Sequence, residues 1–209
     1  TLTAVAAGKD PLADLPKAVR PDGQLVVRVM PASVYDRLLL SGYSLDVWME
    51  PGVTADTLQA AAFYAQRAPV GGVTVVLGAG NASAIPVLDT LYALFVHGDV
   101  VALKLNPVSD VYGPVFEGIF APLIADGYLD IIYGDGQVGA DLVHNDLVTG
   151  VHITGSERTF DAIVWGDAAD TKTGTPALTK PISSELGGVG ATIVIPGEWT
   201  RADIEFQAE

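Results

Sequence analysis

The sequence predicts an α/β protein, a doubly wound, mostly parallel sheet with helices on both faces. Three observations lead there. From Gly72 onward, apolar strand-like runs alternate with helix-length segments, and glycine-bearing turns sit between them. Hydrophobic residues make up 49% of the 209 and charged residues only 17%, with mean hydropathy +0.37, which suits a sheet buried on both faces. Right-handed crossovers between successive strands make such a sheet parallel, and ligands bind at the carboxyl ends of its strands.

The first seventy residues read as a peripheral segment packed on the main domain, and residues 71–209 as the main domain itself. In the first part, Gln24 to Val29 is strand-like, Ser33 to Leu40 helix-like and Ser44 to Glu50 β-rich. Thr54 with Asp56 makes a helix start, and the Ala-rich run to Arg67 continues that helix until Pro69 and Gly71-Gly72 stop it. In the second part, strands are expected at Val73 to Leu77, Val100 to Leu103, Leu129 to Tyr133 and Val151 to Thr154. Helices are expected at Ser83 to Val96, Tyr112 to Ala125 and Val138 to Asn145. Gly166 to Pro181, rich in Asp, Thr, Gly and Pro, reads as an inserted loop.

Composition excludes several functions. A formal charge of −14 with only 11 Lys and Arg leaves no basic patch for nucleic acid. The apolar stretch from Val87 to Leu105 is interrupted by Asp89, His97, Gly98 and Asp99, so it falls short of the roughly 20 residues that cross a bilayer. The absence of cysteine removes disulfides, thiolate zinc sites and thiol nucleophiles from these residues. His97, His144 and His152 fall on different elements, so no metal site is expected and all three read as structural or exposed. A chain that starts at Thr1 without a basic, apolar leader reads as an excised or processed piece of a cytoplasmic protein.

Two glycine clusters follow strands and open helices. Gly78-Ala79-Gly80-Asn81 approaches a dinucleotide fingerprint, and Gly134-Asp135-Gly136-Gln137-Val138-Gly139 matches GxGxxG literally. Both also fit tight strand-to-helix turns that need glycine for their own geometry, and neither has a convincing acidic partner about twenty residues on. Glu185, ahead of Leu186-Gly187-Gly188, is a carboxylate in an apolar region. Desolvation there would raise its pKa toward that of a general base, although a helix or turn carboxylate is the commoner case.

Taken in order, these pieces resemble the aldehyde dehydrogenase superfamily over Pro69 to Ile195. Pro69-Val70-Gly71-Gly72-Val73 leading to Asn81 is similar to the family's segment ending in its active-site asparagine. Val100-Val101-Ala102-Leu103-Lys104 resembles the strand whose lysine reaches the adenosine ribose. The Gly134 turn, His152-Ile153-Thr154-Gly155-Ser156 and Glu185-Leu186-Gly187-Gly188 resemble the next three family elements. The resemblance implies a Rossmann-like domain binding NAD or NADP, with Lys104, Asn106, Gly134, Gly155, Ser156, Leu186 and Gly187 as cofactor contacts. It implies that Asn81 donates to the oxyanion of an attacked aldehyde and that Glu185 activates the hydrolytic water. It also implies a homo-oligomeric full-length protein, a small aldehyde as substrate, and a nucleophilic cysteine beyond Glu209, so that this cofactor domain ends incomplete and is inactive alone. Acyl transfer to coenzyme A instead of water is equally compatible. Pro107 stands where NAD-preferring relatives carry a glutamate, which leaves NADP open. Two other readings remain: a non-catalytic relative serving as a binding or assembly module, and an unrelated Rossmann enzyme that uses the GxGxxG turn directly on pyrophosphate.

Overall fold

Five consecutive β-favouring residues, Val73 to Leu77, cannot expose either face cheaply, and in the computed structural model they form the central strand of a five-stranded parallel sheet. The structure describes residues 2–59, 63–64, 66, 68–166, 172–187, 193, 195 and 197–208.

A separate antiparallel sheet comes first. Its strands are β1 (Lys17–Val19), β2 (Leu25–Met30) and β3 (Leu45–Trp48), in that order. Leu25 and Val27 are buried, Arg28 makes a bidentate pair with Asp46 at 2.7 and 2.9 Å, and the Arg20 guanidinium lies 3.7 Å over the Trp48 ring. The same part of the chain contains the short helices α1 (Leu2–Ala6) and α2 (Val34–Leu39). Ser33 and Asp36 form a reciprocal capping box that fixes where α2 starts.

The parallel sheet contains β4 (Val73–Leu77), β5 (Val100–Lys104), β6 (Leu129–Ile132), β7 (Gly150–Gly155) and β8 (Ile182–Leu186), ordered β6-β5-β4-β7-β8. Helices α3 (Ala84–Tyr92), α4 (Gly113–Ile119), α5 (Ala121–Ala125), α6 (Gly136–His144) and α7 (Glu157–Trp165) connect the strands, and α8 (Arg201–Ala208) follows. Strand alternation divides the core in two. On one face Val76, Val101, Leu103, Leu129 and Ile131 pack with Leu94, Phe116 and Phe120; on the other Val75 and Val151 pack with Val143, Val148 and Leu178. Val75 and Val76 are both 0% exposed, so the expectation of a sheet buried on both sides holds at its centre.

The amino end of β4 is stapled by its neighbours. Asp99 accepts from the Gly72 amide and the Thr74 hydroxyl, both at 2.7 Å, while the Thr149 hydroxyl accepts from the Val73 amide. A Cβ on Gly72 would lie 2.1 Å from that hydroxyl, so close approach explains the glycine.

Several boundaries differ from the sequence reading. The segment from Thr54 makes one turn, with Leu58 N–H bonded to Thr54 O and the two threonines 54 and 57 satisfying each other, and the described residues up to 68 are turns and bends instead of a helix. Residues 60–62, 65 and 67 of that run lie outside the described residues. The helix expected from Tyr112 to Ala125 is two helices meeting at Phe120, because Pro122 has no amide to continue the ladder. The helix after β4 ends in a π-turn, Ala93–His97, closed by Gly98 in the left-handed region. Of the Gly166 to Pro181 loop, residues 167–171 lie outside the described residues, but its second half is pinned. Leu178 is buried, its amide and that of Ala177 donate to Val164 O, and the Lys180 ammonium donates to Val143 O at 2.8 Å.

Candidate functional site at the carboxyl edge

The chain steps from β4 to β5 to β6 in one direction, then returns to place β7 on the other side of β4. The carboxyl ends of β4 and β7 therefore flank the point where strand order reverses, where open sheets of this type form a crevice.

The residues expected to contact the cofactor, with Asn81, lie at or just beyond this edge, in three groups. The first joins β4 to β5. Asn81 is exposed in the turn after β4, and Asn106 caps the 3-10 turn Pro107–Tyr112 by accepting from Val108 N–H at 3.2 Å. Their loops touch at Gly80, where a Cβ would come within 2.7 Å of Val108 and 2.8 Å of Asn106. The second group joins β5 to β6. Lys104 ends β5 and is 5% exposed, and its ammonium donates to Leu105 O at 2.8 Å and to Gly134 O. Burial pushes its pKa down, while Asp110 and Asp135 act in the opposite sense. The third group joins β7 to β8. Gly155 pairs with Leu186 and accepts from the Gly187 amide at 3.3 Å, and Ser156 caps α7 by accepting from Thr159 N–H at 3.1 Å. Gly188 lies outside the described residues.

The two glycine clusters behave differently. Gly134 has φ +129, a conformation reserved for glycine, and a Cβ there would meet Val138 at 2.7 Å. Asp135 then caps α6, its carboxylate accepting from the Gln137 and Val138 amides at 3.0 and 3.3 Å. The amides and dipole that would attract a phosphate at α6 already hold this chain's own carboxylate, which weighs against the literal GxGxxG as a pyrophosphate turn. At α7 the cap is a neutral serine hydroxyl, and the first-turn carboxylate, Glu157, is paired with Lys172 at 2.8 Å instead of accepting a helix amide, so that helix start keeps part of its attraction for an anion.

Glu185 departs from its sequence reading in two ways. It is neither in a helix nor in a turn, but in the edge strand β8, paired with Thr154, and it is exposed, so the desolvation invoked for it is absent. Strand alternation turns it to the face shared with α3. There it lines a groove of about 800 Å³ together with Asp89, Tyr92, His152 and Ser183. Leu186 and Gly187 open on the opposite face, where they line a smaller groove with Glu157, Phe160, Trp165 and Lys172. Lys172 bridges Glu157 and Asp161 at 2.8 and 2.9 Å beside that groove, and those two carboxylates raise its pKa. Among the described residues no hydrogen bond joins Asn81 to Glu185.

Sequence reading missed a polar network on the α3 side. The Thr154 hydroxyl donates to Asp89 at 2.8 Å, and His152 lies 2.8 Å from Ser183 through Nδ1 and 3.3 Å from Thr154 through Nε2. Its members come from α3, β7 and β8, and only the parallel register that sets His152 opposite Ser183 reveals it.

A sheet of this order, flanked on both faces and presenting glycine and polar turns at its carboxyl edge, is a Rossmann-like α/β domain. The chain belongs to the aldehyde dehydrogenase family, whose family model matches residues 46–206. No curated protein matches the chain. Among solved structures it is similar to proline utilization A, at 20% identity and TM-score 0.47, covering 84% of this chain and 14% of that one. It is also similar to succinic semialdehyde dehydrogenase from Streptococcus pyogenes, solved with NADP+, at 22% identity and TM-score 0.42 over 57% of this chain and 24% of that one. A third is betaine aldehyde dehydrogenase from Staphylococcus aureus, solved with NAD+, at 24% identity and TM-score 0.41 over 56% of this chain and 22% of that one. The chain thus spans between 14% and 24% of the length of these structures.

Proposed function

We propose that the protein is an NAD(P)-dependent aldehyde dehydrogenase and that residues 71–209 carry its cofactor-binding domain. The observation that carries this reading is the crevice between the carboxyl ends of β4 and β7, bordered by Gly78 to Asn81 on one side and Gly155-Ser156 on the other. The residues present fit a dinucleotide. The helix start at Ser156 attracts a pyrophosphate, and the bare Gly80 backbone, closed off by Asn106 and Val108, leaves the turn no room for a side chain. Lys104 spends two of its three N–H donors on Leu105 and Gly134, which holds the β6 turn against β5 and leaves one donor for a ribose hydroxyl.

When bound, the cofactor accepts a hydride from the substrate. Asn81, exposed at the crevice, supplies an amide donor for an oxyanion, a type of contact that lowers the reaction barrier by about 3 kcal/mol in comparable sites. Glu185, exposed and ionisable, holds the proton taken from a water. The attacking thiolate must come from outside these residues, since the chain contains no cysteine. The 209-residue chain therefore binds the dinucleotide without turning over aldehyde, and it forms part of a cytoplasmic homo-oligomer.

Titration calorimetry of the chain with NAD and with NADP tests the reading. The expected result is measurable binding of at least one at millimolar concentration, weakened by Ser156→Ala more than by Gly136→Val. Absence of binding by either dinucleotide refutes it, and stronger loss in Gly136→Val moves the pyrophosphate to the α6 turn.

A further inference from the structure

The geometry points to a second chemical site in this chain, at Ser183 with His152 and Asp89, that accepts acyl groups from small uncharged esters. It does not depend on the dehydrogenase reading.

The hydrogen bonds fix which ring nitrogen carries the proton. The Thr154 hydroxyl donates its hydrogen to Asp89 Oδ2 at 2.8 Å, so toward His152 it can only accept. His152 Nε2 faces that oxygen at 3.3 Å and the Asp89 carboxylate at 3.4 Å, both acceptors, and so must bear the hydrogen. The neutral ring then presents a bare Nδ1 to Ser183 Oγ at 2.8 Å, and the serine hydroxyl donates to it. A hydroxyl held against the free lone pair of an imidazole whose far side is oriented by a carboxylate is an activated nucleophile. Asp89 is the positioning residue.

Access and lining define the ester. Ser183 is exposed, whereas the His152 and Asp89 side chains are only 20% and 17% exposed. The site opens into the groove of about 800 Å³, where Leu88 and Tyr92 offer an apolar wall and Asp99 and Glu185 add negative charge. That charge repels carboxylate- or phosphate-bearing esters and leaves uncharged ones with a short acyl group. In the reaction Ser183 Oγ bonds to the ester carbonyl carbon while its proton passes to His152 Nδ1. The carbonyl–oxygen bond to the alcohol then breaks, and the alcohol leaves with that proton. Water, deprotonated by the same Nδ1, then attacks the acyl carbonyl carbon; its bond to Ser183 Oγ breaks, Oγ takes the proton back from Nδ1, and the carboxylic acid leaves.

The test uses the 209-residue chain with 4-nitrophenyl acetate, followed by absorbance and by peptide mass spectrometry. Because the chain has no cysteine, an acetyl adduct cannot arise from a thiol. The expected adduct sits on Ser183, Ser183→Ala abolishes it, and His152→Asn slows acylation by about 100-fold, as removing a general base does. Asp89→Asn lowers the maximal acylation rate without changing the ester concentration at half-saturation. Ser183→Cys adds the only thiol, and iodoacetamide should alkylate it faster than in the Ser183→Cys/His152→Asn double variant, a readout that survives even if serine acylation is slow. Acylation retained in a folded Ser183→Ala, no adduct on the parent chain, or equal alkylation rates with and without His152 would overturn the assignment.

Discussion

Lys104→Met removes the ammonium at the end of β5 and keeps most of its apolar stem. Two carbonyls, Leu105 O and Gly134 O, then lose their donor in a place where Lys104 itself is only 5% exposed. Hydrogen bonds from a charged donor contribute about 1.5–3 kcal/mol each, giving a gross loss of about 3–6 kcal/mol. Burial of the charge offsets part of this, as the depressed pKa of the lysine shows, so a net loss of about 2 kcal/mol is expected. For a chain of this size that lowers Tm by about 4–8 °C. The pH dependence carries a defined sign. The folded pKa lies below the 10.5 of the unfolded chain, so between the two values the unfolded state binds the extra proton and stability rises with pH. Urea denaturation followed by circular dichroism, run from neutral pH to about 10.5, should show the parent gaining on Lys104→Met across that window. Equal stability within about 0.5 kcal/mol at neutral pH, or a gap that narrows as pH rises, refutes the role assigned to the ammonium.

Two further outcomes are expected. Ser156→Ala removes the cap that accepts from Thr159 N–H and should cost about 1 kcal/mol in the same urea assay, whereas Ser156→Asp should keep the cap and weaken binding of either dinucleotide by placing a carboxylate where a phosphate would sit. Tyr133, whose hydroxyl donates to Glu117 at 2.6 Å, has its pKa pushed up to about 12 by that bond, so ultraviolet titration of the chain should show a late phenol that Glu117→Gln shifts toward 10.0.

The sheet was legible because its strands are short apolar runs bounded by glycine. β4, β5, β6 and β7 lie within one or two residues of where hydrophobic patterning put them. β8 was not, because an edge strand has one neighbour and can carry Ser183 and Glu185 among apolar residues, which blurs the pattern. The helix start read at Thr54 and Asp56 gives a single turn, because the Thr54 and Thr57 hydroxyls bond nearby backbone groups and compete with helix propagation. At the carboxyl edge, order along the chain was enough to gather the turns. It did not show that Asp135 fills the α6 terminus, because a letter pattern records spacing and not which group accepts the amide hydrogens. The His152 network escaped for a related reason: its partners are 31 and 63 positions away, and only strand register brings them together.

Glu185 and Leu186 are adjacent in the chain yet serve opposite sides of the sheet, one toward Asp89 and His152, the other toward Phe160 and Lys172. Among the described residues β8 pairs with β7 alone. Slippage by a single residue would exchange the two sides at once, carrying the carboxylate into the α7 groove and a leucine against the imidazole. The two proposed chemistries would share one alignment, so that selection on either one would police the other.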